Sequence, residues 1–137
     1  MNVLALDIGE KRVGVAYANT QRGIAMPVAV LDANDVEGHT APFRRLIQDY
    51  EPDLLVAGRP LTMAGEPGPQ AQRVERVARG VASRCGLNLE FADERLSSSE
   101  AKRILREQGL NEKQMRGKVD SVAASLFLQA WLDARTS

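Results

Sequence analysis

A chain of 137 residues with 44% hydrophobic and 26% charged content is the size of one ordinary domain and can bury a real core. It has no apolar run near the roughly 20 residues of a membrane helix, and Val3–Leu6 is too short for a secretory core, so a cytoplasmic, membrane-free protein is expected. One cysteine, Cys85, excludes an internal disulfide, and one histidine, His39, all but excludes a Cys/His zinc site and leaves a Ser-His-Asp mechanism no base unless His39 serves. Net charge is zero but unevenly spread: residues 1–57 carry −3 and the remainder +3.

Val3 to Ile8 reads as a buried strand. A tight Gly9-Glu10-Lys11 turn leads into Arg12–Ala18, so the pair predicts a hairpin. Ile24 to Leu31 offers a third strand, with Pro27 suited to an edge. Phe43, Leu46, Ile47 and Tyr50 recur at helical spacing in the second part of Asp35–Tyr50. Leu54 to Gly58 is a short, fully apolar strand. Arg59 to Pro69 holds five Gly/Pro residues and is expected to be a mobile substrate loop. Pro69 suits the first turn of a helix, whose N-terminus would favour phosphate.

Val74, Val77, Ala78, Val81 and Ala82 mark the buried face of that helix, and Gly86 stops it. Leu87 to Ala92 alternates like a half-buried strand. Ser97 and Glu100 match a capping box for a helix closed near Gly109. A polar connector follows, and then a last helix from Val119 to Ala134. The expected order is βββ-α-β-α-β-α-α, an α/β arrangement with parallel crossovers after the hairpin, in a single domain over residues 1–137.

Three carboxylates stand out. Asp7 ends the first strand, where a carboxylate is costly if buried unpaired. Glu94 follows the fifth strand inside Asp93-Glu94-Arg95. Asp120 opens the last helix. Each alone has an ordinary role: a turn at Gly9, a surface salt bridge, a favourable interaction with a helix dipole. Together they point further. The strand ends open on one side, where ligand sites form in α/β sheets, and Ala123 and Ala124 let the last helix lie close to the sheet. Clustered carboxylates repel unless a cation sits among them, and oxygen-only ligands select hard ions such as Mg²⁺ or Mn²⁺. Such an ion activates water without a histidine base.

Four blocks, in order, resemble the YqgF/RuvX family of the RNase H-like superfamily: residues 5–16 (ALDIGEKRVGVA), residues 56–61 (VAGRPL) with the 65–68 loop, residues 93–98 (DERLSS) and residues 117–124 (GKVDSVAA). The resemblance covers nearly the whole chain. It implies a five-stranded mixed sheet with helices on both faces, and Asp7, Glu94 and Asp120 as the acidic metal-binding triad. It also implies phosphodiester hydrolysis in structured nucleic acid: an RNA precursor at the 5′ end of pre-16S rRNA, hence ribosome biogenesis, or a branched DNA, the Holliday junction. Two positions depart from the family pattern. Arg59 replaces the usual Leu of a Gly-Leu-Pro motif, and Glu10 stands where Thr is common.

Lys11, Arg12, Arg59, Arg95 and Lys118 are the candidate phosphate contacts. Arg95 either meets phosphate or orients Glu94, and the sequence does not choose. Ser97 fits a cap better than a catalyst. Phe127 and Trp131 fit core or homodimer contacts better than a stacking surface, given 4% aromatic content. Two other function classes share part of the pattern. An actin-like or sugar-kinase-like ATPase also begins with Asp-x-Gly, but needs a second lobe. A non-catalytic nucleic-acid-binding module needs no acids, yet all three are present.

Overall fold

The computed structural model describes residues 1–59, 70–95 and 97–136. Strands β1 (Asn2–Ile8), β2 (Arg12–Asn19) and β3 (Ile24–Asp32) are followed by helices α1 (Ala33–Glu37) and α2 (Ala41–Tyr50), strand β4 (Leu54–Arg59) and helix α3 (Ala71–Cys85). Strand β5 (Asn88–Asp93) and helices α4 (Ser97–Glu107), α5 (Glu112–Arg116) and α6 (Val119–Thr136) complete the order. The substrate loop expected after Arg59, with the helix start at Pro69, lies outside the described residues. Among the described residues no helix is long and apolar enough to cross a membrane.

The five strands form one mixed sheet in the order β3-β2-β1-β4-β5. β1, β2 and β3 pair antiparallel, while β1–β4 and β4–β5 pair parallel. The α/β class with helices on both faces stands as expected. Period-two alternation assigns the faces. Leu4, Leu6 and Ile8 of β1 join Val13, Val15, Leu55 and Ala57 under α1, α2 and α3. Val3 and Ala5 join Ala16, Ala18, Leu54 and Val56 under α6, through Ala124, Phe127 and Leu128. β1 is sandwiched between two apolar layers, which is why its run is apolar on both faces.

Three local features go beyond or change the reading. The helix expected in the second part of Asp35–Tyr50 is α2, and a short helix not foreseen, α1, precedes it, the chain turning at Gly38 and His39 (φ 53°) before Pro42 enters the first turn of α2. The polar connector contains α5, capped reciprocally by Asn111 and Gln114. Ser97 is already the first residue of α4 rather than its cap, and is buried.

The outer edge of β3 is closed by one side chain. Gln129 of α6 accepts from the Ala25 N–H (2.8 Å) and donates to the Gly23 carbonyl (3.0 Å). Two residues further along, Pro27 has no N–H to offer.

Candidate active site

Asp7 lies one residue short of the end of β1, and alternation after Val3 and Ala5 turns it to the α6 face. Gly58 occupies the same face near the end of β4, and Glu94 follows Ala92 on that face just past β5. Glu94 therefore reaches back across β4 toward Asp7, and the missing side chain of Gly58 makes room for it. A Cβ at Gly58 would stand 2.5 Å from Glu94 Oε2 and 2.8 Å from the Phe127 ring. The second close approach is at Gly14, which pairs with Asp7 across the hairpin. A Cβ there would overlap the backbone carbonyl of Asp120. This glycine lets the start of α6 rest on β2, so Asp120 sits one strand over from Asp7.

The Asp7 and Glu94 carboxyls lie within hydrogen-bonding reach of each other, an arrangement that favours one shared proton. Burial, then the charge and hydrogen bond of Glu94, then the charge of Asp120 push the Asp7 carboxyl from the usual 3.8 up to about 8. Burial also raises Glu94, opposed by the hydrogen bond from Asp7 and assisted by the charge of Asp93. Two adjacent carboxyls in a partly dry site cannot both ionise without a counter-charge, so the pair holds a proton where a cation would fit.

Asp120 is placed differently. Its Oδ2 takes Nε of Arg12 at 3.0 Å, with the two side chains 25% and 57% exposed. Among the described residues no three acidic, histidine or cysteine side chains converge closely enough to hold a metal ion. Two of the three expected acids touch, and the third lies within their field but faces Arg12.

The candidate phosphate contacts divide. Lys11 and Arg12 border a depression of about 320 Å³ with Gly9, Glu10 and Asp120. Lys118 is exposed immediately before α6, and its carbonyl accepts from the Ser121 hydroxyl. Arg95 closes on Asp93, which lies across the strand from Glu94 by alternation. Asp93 is held below the usual carboxylate range chiefly by that hydrogen bond. Arg59 is not brought to the acids. It lies on the α3 face, pairing with Glu75 at 3.3 Å and stacking its guanidinium 4.7 Å from the Phe91 ring centre. His39 packs edge-on against Phe43 at 5.6 Å, under the opposite face of the sheet from the acids, so it is no base for them. Phe127 is core, and Trp131 donates to Glu90 while stacking on Arg135.

Sequence reading did not find three residues that shape the site. Gly14 and Gly58 are glycines inside strands, the usual signal of close backbone approach. Arg73, on α3, donates to the Gly9 carbonyl at 3.1 Å and pairs with Glu37 at 3.2 Å, anchoring the hairpin turn beside Asp7; nothing local in the sequence announces that contact.

The fold is similar to solved resolvases. Fowlpox virus resolvase, determined in complex with substrate Holliday junction DNA, superposes with a TM-score of 0.60 at 11% identity, each chain covered in full. Thermus thermophilus RuvC, in complex with a Holliday junction substrate, gives 0.54 at 15% identity over 100% of this chain and 96% of that one. In sequence, a Chloroflexus aurantiacus protein named "Putative pre-16S rRNA nuclease" is 43% identical over 135 residues, 98% of this chain and 88% of that protein. The RuvX family model, described as Holliday junction resolvase, matches residues 1–134. The chain belongs to the RuvX family, on an RNase H-like fold.

Proposed function

We propose that this protein is a metal-dependent nuclease that hydrolyses phosphodiester bonds in structured nucleic acid, with the 5′ end of pre-16S rRNA as its substrate in the cytoplasm. The observation that carries the reading is the half-buried, closely interacting Asp7–Glu94 pair at the open ends of β1, β4 and β5, with Asp120 beside it. The donor set is all carboxylate oxygen, which suits Mg²⁺ or Mn²⁺. Asp7, Glu94 and Asp120 would hold the ion, which supplies Lewis acidity to the phosphoryl oxygen and to water when bound.

The chain's own residues do the rest. Asp7 and Glu94 give up their shared proton and fix the position of the charge. Gly58 leaves Glu94 its path. Lys11, Arg12 and Lys118 offer cations to the backbone on either side of the bond to be cut, contacts that position a strand without reading its sequence. No side-chain nucleophile is used, so no covalent protein–nucleic acid intermediate forms.

The description attached to the family model favours a second reading, resolution of Holliday junctions. The names of the curated relatives favour the RNA substrate. The deciding experiment offers the protein and its Asp7→Asn variant pre-16S rRNA fragments and four-way junctions, each with Mg²⁺ and with Mn²⁺. Cleavage of one substrate by the parent alone assigns it. An Asp7→Asn protein that cuts as fast as the parent removes Asp7 from the catalytic site, and binding without cleavage by either protein leaves a binding module.

A further inference from the structure

Next to the acids, a groove of about 300 Å³ runs between α4, α5 and the start of α6. Arg12, Ser98, Lys102 and Arg116 line it, Met115 forms its buried floor, and Asp120 sits at its inner end. Lys102 and Arg116 enter no ion pair among the described residues. The one other acid on the wall, Glu112, faces Arg106 at 3.9 Å. The groove thus presents three cations, Arg12, Lys102 and Arg116, against two carboxylates, Glu112, which faces Arg106, and Asp120, which is itself a candidate metal ligand.

Arg12 belongs to both places. Its Nε holds Asp120 at 3.0 Å, and its two terminal NH₂ groups bond nothing among the described residues. Gly14 sets the start of α6 directly on β2, opposite Asp7, so Asp120 stands between Arg12, which it pairs with, and Asp7, which feels its charge. A pair this exposed is weakly held. A phosphodiester oxygen competes well for a guanidinium, which matches phosphate in a bidentate fork.

We propose that this groove is a subsite for a backbone phosphodiester of the nucleic acid, and that Arg12 is a latch which keeps Asp120 off the metal position until that phosphate draws Arg12 away. The inference rests on the metal-site reading above and adds a coupling to it. Nucleic acid in the groove tightens metal binding, and by linkage metal tightens nucleic acid. In the free protein the third carboxylate is withheld, in keeping with the lack of a three-ligand cluster among the described residues.

The test is Mn²⁺ binding read from the free-ion electron paramagnetic resonance signal, without nucleic acid, on the full chain. Arg12→Gln is expected to bind Mn²⁺ about fivefold tighter or more than the parent. In an Asp120→Asn background the same substitution should have no effect, because the gain passes through Asp120. Circular dichroism checks that each variant is folded. Adding a four-way junction should tighten Mn²⁺ binding to the parent, and Lys102→Gln/Arg116→Gln should lose that gain while binding the junction more weakly in EDTA with a shallower salt dependence. An Arg12→Gln gain that persists with Asp120→Asn is bulk charge and overturns the latch. No gain at all overturns it too. Junction binding in EDTA unaffected by Lys102→Gln/Arg116→Gln overturns the subsite. Mn²⁺ binding indifferent to Asp7→Asn overturns the metal-site reading and the inference with it.

Discussion

The carboxylate of Glu94 passes over Gly58 so closely that a methyl group there would stand 2.5 Å from its Oε2. The atoms in the way are the far end of Glu94, which can swing aside, and the buried Phe127 ring, which has to shift by a few tenths of an ångström. Gly58→Ala should therefore fold, at a cost of about 1–2 kcal/mol, while pushing Glu94 off Asp7. Cleavage in Mg²⁺ or Mn²⁺ should fall by roughly 100-fold or more. Parent-like rates in Gly58→Ala would mean that Glu94 is not needed where it lies.

Gly14 behaves in the opposite way. A Cβ there meets the backbone of Asp120 and Ser121, which has no side-chain rotamer to give. Gly14→Ala should cost about 2–4 kcal/mol, measured by urea unfolding, and lift α6 from β2. Unchanged stability would show that the helix can slide.

The raised Asp7 carboxyl makes metal-free stability depend on pH. Its folded value is about 8 against 3.8 in the unfolded chain. Between these values the folded protein keeps a proton that the unfolded chain has released, so stability falls as pH rises. The penalty is absent below the lower value and complete above the higher one. In EDTA, urea unfolding should give a protein less stable at pH 8 than at pH 5 by on the order of 2–4 kcal/mol. Asp7→Asn should flatten this part of the profile and be the more stable protein at pH 8. A parent profile no steeper than that of Asp7→Asn would remove the shared proton from the account.

Metal binding must displace that proton. At about 100 times its dissociation constant, Mn²⁺ should stabilise the parent by ~2.7 kcal/mol, and calorimetry in buffers of different ionisation enthalpy should show proton release near pH 7. Asp7→Asn should show neither. Equal thermal shifts in both proteins would place the ion elsewhere.

Much of this was legible in the chain. The strands carry their apolar runs, and Asp7, Glu94 and Asp120 announce themselves as acids at strand and helix ends. What was not legible is physical in each case. The short helix α1, five residues before the turn at Gly38, is too brief to show a period. The five residues of α5 are too few to show a period. The pairing of Arg12 with Asp120 spans 108 positions and depends on a side chain choosing between two anions. The placement of Arg59 was within reach, since it follows Gly58 in a strand and alternation turns it to the far face.

Strand β3 is the last in its row, and such rows can add another strand from any passing chain. Gln129 fills the hydrogen-bonding positions of Gly23 and Ala25, and Pro27 offers none. Ile24 and Met26 are nevertheless exposed there, 71% and 51%, a greasy stretch that would otherwise invite fibre-like growth. The helix that carries Asp120 at its first turn thus carries a safeguard against aggregation two turns later, so a substitution at Gln129 would be felt first as poor recovery of dispersed protein and only later, if at all, as lost chemistry.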